Sequence, residues 1–126
     1  MKNIYVAGIV QHEDKFLMLH HKGIKKWVFS GGKPECEETG VEATQREMKE
    51  ELGICVNDLT LHSTHVHEVN GEIWTGLFYT VGRWLGRIKV AEPTKHSEVR
   101  WVRWSDIETQ PERSIAESIV SAPVVA

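Results

Sequence analysis

Apolar and polar positions alternate along most of this chain with the period of extended strands, and the period switches to that of a helix in one acidic stretch near the middle. Residues 4–10 form an apolar, β-rich run, Glu13, Asp14 and Lys15 a polar turn, and residues 16–20 a second apolar run. That pattern predicts an antiparallel hairpin. Residues 21–26 read as a polar loop around Gly23, and Trp27, Val28 and Phe29 lead as a short extended piece into Ser30, Gly31 and Gly32. Farther on, a strand over about 59–69, an Asn70-Gly71 hairpin turn and a long strand over about 73–84 are expected, with Gly86 breaking the last. A short strand over 87–90, a loop over 91–97 containing Pro93 and a further strand over 98–104 follow. A second helix is predicted over about 111–121, with Pro111 near its first position and Ile115, Ile119 and Val120 on its apolar side. The last five residues are expected to fray.

The acidic stretch carries its own boundaries. Thr39 with Glu42 three residues later is a capping-box pattern, and Gly53 stands where a left-handed C-terminal cap would go, so a helix over about 40–52 is predicted. At roughly 100° per residue, Val41, Thr44, Gln45, Met48 and Leu52 fall on a packing side, while Glu47, Glu50 and Glu51 share a neighbouring sector. Like charges at this spacing destabilise an isolated helix, so something positive should offset them. A hard divalent cation, Mg²⁺ or Mn²⁺, suits oxygen ligands without cysteine or histidine at ligand spacing. Mg²⁺ takes only one or two protein carboxylates and completes its shell with water and substrate phosphates, which implies a phosphate-bearing substrate. The competing reading is a solvated acidic face, which gives no reason for the double glycine ahead of it or for Arg46 beside Glu47.

Composition narrows the partners. A chain of 126 residues with this order of strands and helices and no repeats or linkers predicts one α+β domain over residues 1–126, a mixed, largely antiparallel sheet with a helix on each side, and its net charge is −3 with a pI near 6.2. No basic face for duplex nucleic acid is implied, so a polyanionic substrate must be met by local positive groups and metal. There is no apolar run of membrane-spanning length, and Met1-Lys2-Asn3 leads into a strand without a signal-peptide layout, so a cytoplasmic monomer or homodimer is expected. Cys36 and Cys55 are expected to be free thiols.

The window 32–54 reads GKPECEETGVEATQREMKEELGI, in which Gly32, Glu38, Arg46, Glu47, Glu50, Glu51, Leu52, Gly53 and Ile54 stand at the fixed positions of the Nudix box. The chain resembles the Nudix hydrolases. That resemblance implies an α/β/α sandwich, divalent metals at Glu47, Glu50 and Glu51 joined by the carbonyl of Gly31, and Arg46 orienting neighbouring carboxylates. Glu38 would tie the loop to the helix. A further carboxylate is expected in the 92–98 segment, with Glu98 first and Glu92 as fallback. Two residues depart from the family pattern: Ser30 replaces a usual proline, and Glu37 a usual glycine.

The activity implied is hydrolysis of a diphosphate linkage, with the base drawn from Glu50, Glu51 and Glu98. Lys33 is a candidate phosphate partner or a solvated lysine, and Glu35 a metal or substrate contact or a loop ion pair. Trp74 and Phe78, on one strand face, are candidates for base stacking, with core packing as the competing role; His65 and His67 also share a face. The short chain and the segment before Trp101 resemble the MutT-like branch, which converts nucleoside triphosphates, including oxidised guanine nucleotides such as 8-oxo-dGTP, to monophosphate and pyrophosphate. Residues 70–72 lack the proline or tyrosine that tends to mark ADP-ribose and dinucleoside polyphosphate hydrolases. Nucleotide sugars, an RNA 5′ end, or nucleotide sensing without turnover are the alternatives.

Overall fold

The computed structural model describes residues 3–122; residues 1–2 and the stretch from 123, with most of the expected frayed end, lie outside it. In chain order the described residues form β1 (Ile4–Ile9), β2 (Gln11–His12), β3 (Lys15–His21), β4 (Lys26–Val28), β5 (Ser30–Gly32), α1 (Gly40–Leu52), β6 (Cys55–Val69), β7 (Glu72–Leu85), β8 (His96–Arg103), a 3-10 turn (Trp104–Asp106) and α2 (Glu112–Val120).

Every residue from Val6 to Val10 is buried, and a strand apolar on both faces needs neighbours on both edges and cover on both sides. β1 therefore leaves its sequence neighbour. It pairs antiparallel with β5 and parallel with β7 in a mixed sheet of order β5-β1-β7-β6. The expected hairpin between residues 4–10 and 16–20 is corrected accordingly: β3 turns back on the two-residue β2 and pairs antiparallel with β2, β4 and β8 in a second sheet. The amide of Leu17 still reaches the carbonyl of Val10 at 2.9 Å, which ties the two sheets where they diverge.

Strand alternation divides the core between the helices. Ala7 and Ile9 pack with Phe16, Met18, Phe78 and Val102 against Ile115 and Ala116 of α2. Val10, Leu17 and Leu19 pack against Met48 and Leu52 of α1, and Val6 against Ala43. Full burial of each large apolar side chain contributes about 1.5–3 kcal/mol, enough for these clusters to fix α1 on one side of the strands and α2 on the other.

Local signals set the helix and hairpin ends. Thr39 accepts from the Glu42 amide while Glu42 accepts from the Thr39 amide, and Gly53 is left-handed at φ 74°. Asn70 and Gly71 both take positive φ in the β6–β7 turn. Val41, expected on the packing side, is 36% exposed. β6 starts at Cys55 rather than 59, pairing with β7 from Leu85 to Glu72. The short strand expected over 87–90 does not form: the amides of Lys89 and Ala91 are spent on the carbonyls of Leu52 and Glu51, capping the open end of α1. That segment carries the chain past α1 into the loop that completes the site.

Candidate active site

Arg46, on α1, gathers the acidic residues of the loop and the helix. Its guanidinium donates to both oxygens of Glu38, at 2.7 and 3.0 Å, to Glu47 at 2.8 Å, to Glu50 at 3.2 Å and to the carbonyl of Lys33 at 3.0 Å, and Glu35 lies 3.5 Å away. A planar fork suits bidentate pairing with Glu38. These bonds hold Arg46 well above its ordinary pKa, the Glu38 bond being the largest cause, and the same bond lowers Glu38. Glu47 goes the other way. Burial pushes its carboxyl above the usual range, Arg46 opposes, and the charges of Glu51 and Glu50 add to the rise.

The three helix carboxylates were expected to be presented together on one sector. The structure buries Glu47 and Glu51 beneath β5 and the loop before β8 and leaves Glu50 exposed. Glu51 is 1% exposed and has defined partners on both oxygens. Oε1 accepts from the Ser30 hydroxyl at 2.8 Å and the Gly31 amide at 2.9 Å. Oε2 accepts from Lys95 Nζ at 2.9 Å, with His96 Nε2 at 3.7 Å. Glycine is required at 31, where a Cβ would collide with the Val6 carbonyl, and a Cβ on Gly32 would push against the Glu47 carboxylate.

The structure puts the two candidate outer carboxylates, Glu98 and Glu92, in different surroundings. β8 pairs His20 with Glu98 and His21 with His96, so Ser97 is the extra residue and the alternation of side chains reverses there. Val99 and Trp101 pack on the α1 side, and the bulge turns His96 to that side as well, where it is 2% exposed beside Glu51. Glu98 faces away and pairs with Arg100, whose guanidinium lies over Trp27. The carboxylate brought to the site is Glu92: ligand atoms of Glu51, Glu92 and His96 lie within 4.8 Å of one another. Burial pushes His96 below its ordinary pKa, opposed by Glu51, and its Nδ1 is sealed without a hydrogen-bond partner among the described residues.

The candidate substrate contacts separate into two cavities. Lys33, Glu35 and Trp74 line one of about 560 Å³, with the Lys33 ammonium 5.1 Å above the Trp74 ring. Phe78 is only 1% exposed and lines a smaller cavity of about 230 Å³ together with Tyr5, Phe29, Glu51, Lys95, His96 and Glu112. His65 and His67 share the Phe78 face, His65 edge-on to Phe78 and His67 stacked on Tyr5. Cys36 and Cys55 are exposed free thiols.

Glu112 went unnoticed in the sequence although its spacing with Ile115, Ala116 and Ile119 places it on the inner stripe of α2. Its Oε1 is buried without a hydrogen-bond partner among the described residues, and burial raises its carboxyl above the ordinary 4.5 against its own amide, Thr109 and His67. The folded protein thus binds this proton more tightly than the unfolded chain. Stability from this group is full below pH 4.5 and declines as pH rises through the raised pKa. Glu112→Gln is expected to gain about 1 kcal/mol at pH 8 and nothing near pH 4, read from thermal unfolding at both values.

The two departures from the family pattern have local consequences. Ser30 supplies a hydroxyl that a proline lacks, and Glu51 takes it. Glu37 holds φ 67°, the left-handed region that glycine favours. Relief of the Cβ penalty exceeds the added chain entropy of glycine, so Glu37→Gly should stabilise by about 0.5–1 kcal/mol in a thermal melt.

Comparison with known proteins agrees with this architecture. A NUDIX domain model matches residues 1–122. An 8-oxo-dGTP diphosphatase of Proteus vulgaris is 32% identical over 89 residues, covering 66% of this chain and 80% of the relative. A CTP pyrophosphohydrolase of Escherichia coli (strain K12) is 35% identical over 72 residues, 54% of this chain and 53% of the relative. The crystal structure of a MutT NUDIX hydrolase from Burkholderia pseudomallei superposes with a TM-score of 0.85 at 26% identity, covering 93% of this chain and 97% of the other. The chain belongs to the Nudix hydrolase family, with the α/β/α sandwich that the resemblance implied.

Proposed function

We propose that this protein is a divalent-cation-dependent pyrophosphohydrolase that cleaves a nucleoside triphosphate, oxidised guanine nucleotides included, to the monophosphate and pyrophosphate. The observation that carries the reading is the convergence of Glu51, Glu92 and His96 on one point, with Glu47 and Glu50 on the same helix and the Phe78 cavity adjoining. Hard carboxylate oxygens fit Mg²⁺ or Mn²⁺, held by Glu47, Glu50, Glu51 and the Gly31 carbonyl, with Glu92 replacing Glu98 as the outer carboxylate. A cation bound there neutralises charge on the phosphoryl oxygens and acidifies water.

The remaining work falls to side chains. Glu50, the exposed member of the helix set, would take the proton of the attacking water, with Arg46 holding it by a hydrogen bond at 3.2 Å. Lys33, whose ammonium lies over the Trp74 ring, would pair with a substrate phosphate at the mouth of the outer cavity. Glu112, whose Oε1 is buried, offers a partner to a base N–H in a cavity lined by Tyr5, Phe29 and Phe78, which suits that cavity to the nucleoside end. Relatives described as acting on 8-oxo-dGTP and on CTP share a triphosphate and differ in the base. Product-resolved kinetics over canonical and oxidised nucleoside triphosphates, ADP-ribose, nucleotide sugars, dinucleoside polyphosphates and capped RNA test the reading. A triphosphate is expected to show the highest kcat/KM; a faster dinucleoside polyphosphate or ADP-ribose would overturn the substrate class.

A further inference from the structure

We infer that Lys95 is an internal counter-ion that competes with a divalent cation for Glu51 and thereby sets the metal affinity of the site, an inference that rests on the cation-dependent reading above. Ser30 and Gly31 occupy Oε1 of Glu51, which leaves Oε2 for any further partner. Lys95 Nζ holds that oxygen at 2.9 Å. Two positive centres on one buried oxygen repel strongly, so a cation that ligates Oε2 must displace the ammonium.

The competitor is built to return. The Lys95 amide donates to the Glu92 carbonyl and its own carbonyl accepts from Lys22, both at 3.0 Å, so the backbone is fixed on either side of the side chain. That anchoring gives the ammonium a high local concentration at Glu51. The side chain itself is 42% exposed, which lets the stem turn into solvent when displaced, whereas Glu51 stays clamped by β5. Glu92, which supplies one ligand atom of the cluster, also anchors the Lys95 turn, so cation binding and Lys95 release act on the same loop.

Mn²⁺ titration followed by electron paramagnetic resonance, on the full chain without nucleotide, tests this. With the ion pair closed about nine-tenths of the time, Lys95→Gln is expected to tighten Mn²⁺ binding by about tenfold, and Lys95→Arg to stay within about twofold of wild type. Lys95→Met, which cannot donate to Glu51, should tighten it at least as much as Lys95→Gln, so either neutral variant that folds decides the matter. In a Glu51→Gln background Lys95→Gln should have no effect. Unchanged or weaker binding in the neutral variants overturns the inference. So does equal tightening in the Glu51→Gln background, which marks a long-range charge effect. Absence of turnover on every triphosphate would overturn the function and leave this affinity shift standing.

Discussion

Arg46→Ala is expected to lower the melting temperature by roughly 8 °C, corresponding to about 2–3 kcal/mol, and to abolish most activity. Breaking a buried pair costs about 3–5 kcal/mol, and the 22% exposure of the Arg46 side chain brings the figure down. The loss is large because one guanidinium serves Glu38, Glu47, Glu50 and the Lys33 carbonyl at once. Without it Glu47 is a buried carboxylate near Glu50 and Glu51 that has lost its ion-pair partner, and the 33–38 loop loses its tie to α1. Arg46→Lys should recover only a minor part, since a single ammonium cannot pair both oxygens of Glu38 and reach Glu47 as well. Added Mg²⁺ should restore some stability by neutralising the cluster. Thermal unfolding with and without Mg²⁺ measures both effects; an unchanged melting temperature in Arg46→Ala would mean that the guanidinium is dispensable to the loop.

Glu51→Gln should reduce kcat by two or more orders of magnitude in a protein that still folds, a size common for loss of a general base or of a charge that acts in the transition state. The fold survives because the glutamine oxygen still accepts from Ser30 and Gly31, and Lys95 can turn into solvent from the vacated partner. Activity falls because the cluster loses the buried carboxylate that Lys95 and His96 flank, leaving Glu92 as its one remaining carboxylate. Glu98→Gln provides the contrast: its side chain pairs with Arg100 on the opposite face of β8, and kcat should change by less than about twofold. A Glu98 variant as damaged as Glu51→Gln would place the catalytic carboxylate elsewhere.

What the sequence revealed and what it hid divide by the range of the interaction. The α1 boundaries were legible because Thr39, Glu42 and Gly53 act within one turn of themselves, and the β6–β7 turn because Asn70 and Gly71 set their own backbone angles. The pairing of Arg46 with Glu38 and the helix glutamates was legible too, since each partner lies within eight positions of Arg46. The burial of Glu51 was not, since it comes from β5 and the Lys95-His96 turn, which lies 44 residues along the chain. Alternation with Val99 and Trp101 turns Glu98 outward, whereas Glu92 and His96 reach Glu51 through the loop before β8 and the bulge at Ser97, contacts that only the folded chain makes. β1 was misplaced for a related reason: its apolar run predicts burial on both faces but does not say which strands will flank it.

Phosphorus NMR of a nucleoside triphosphate incubated with the purified protein bears most directly on the proposed chemistry. Monophosphate and pyrophosphate resonances should grow only when Mg²⁺ or Mn²⁺ is present, and should not appear with Glu51→Gln over the same time. Diphosphate and orthophosphate as products, or the same hydrolysis in excess chelator, would contradict it.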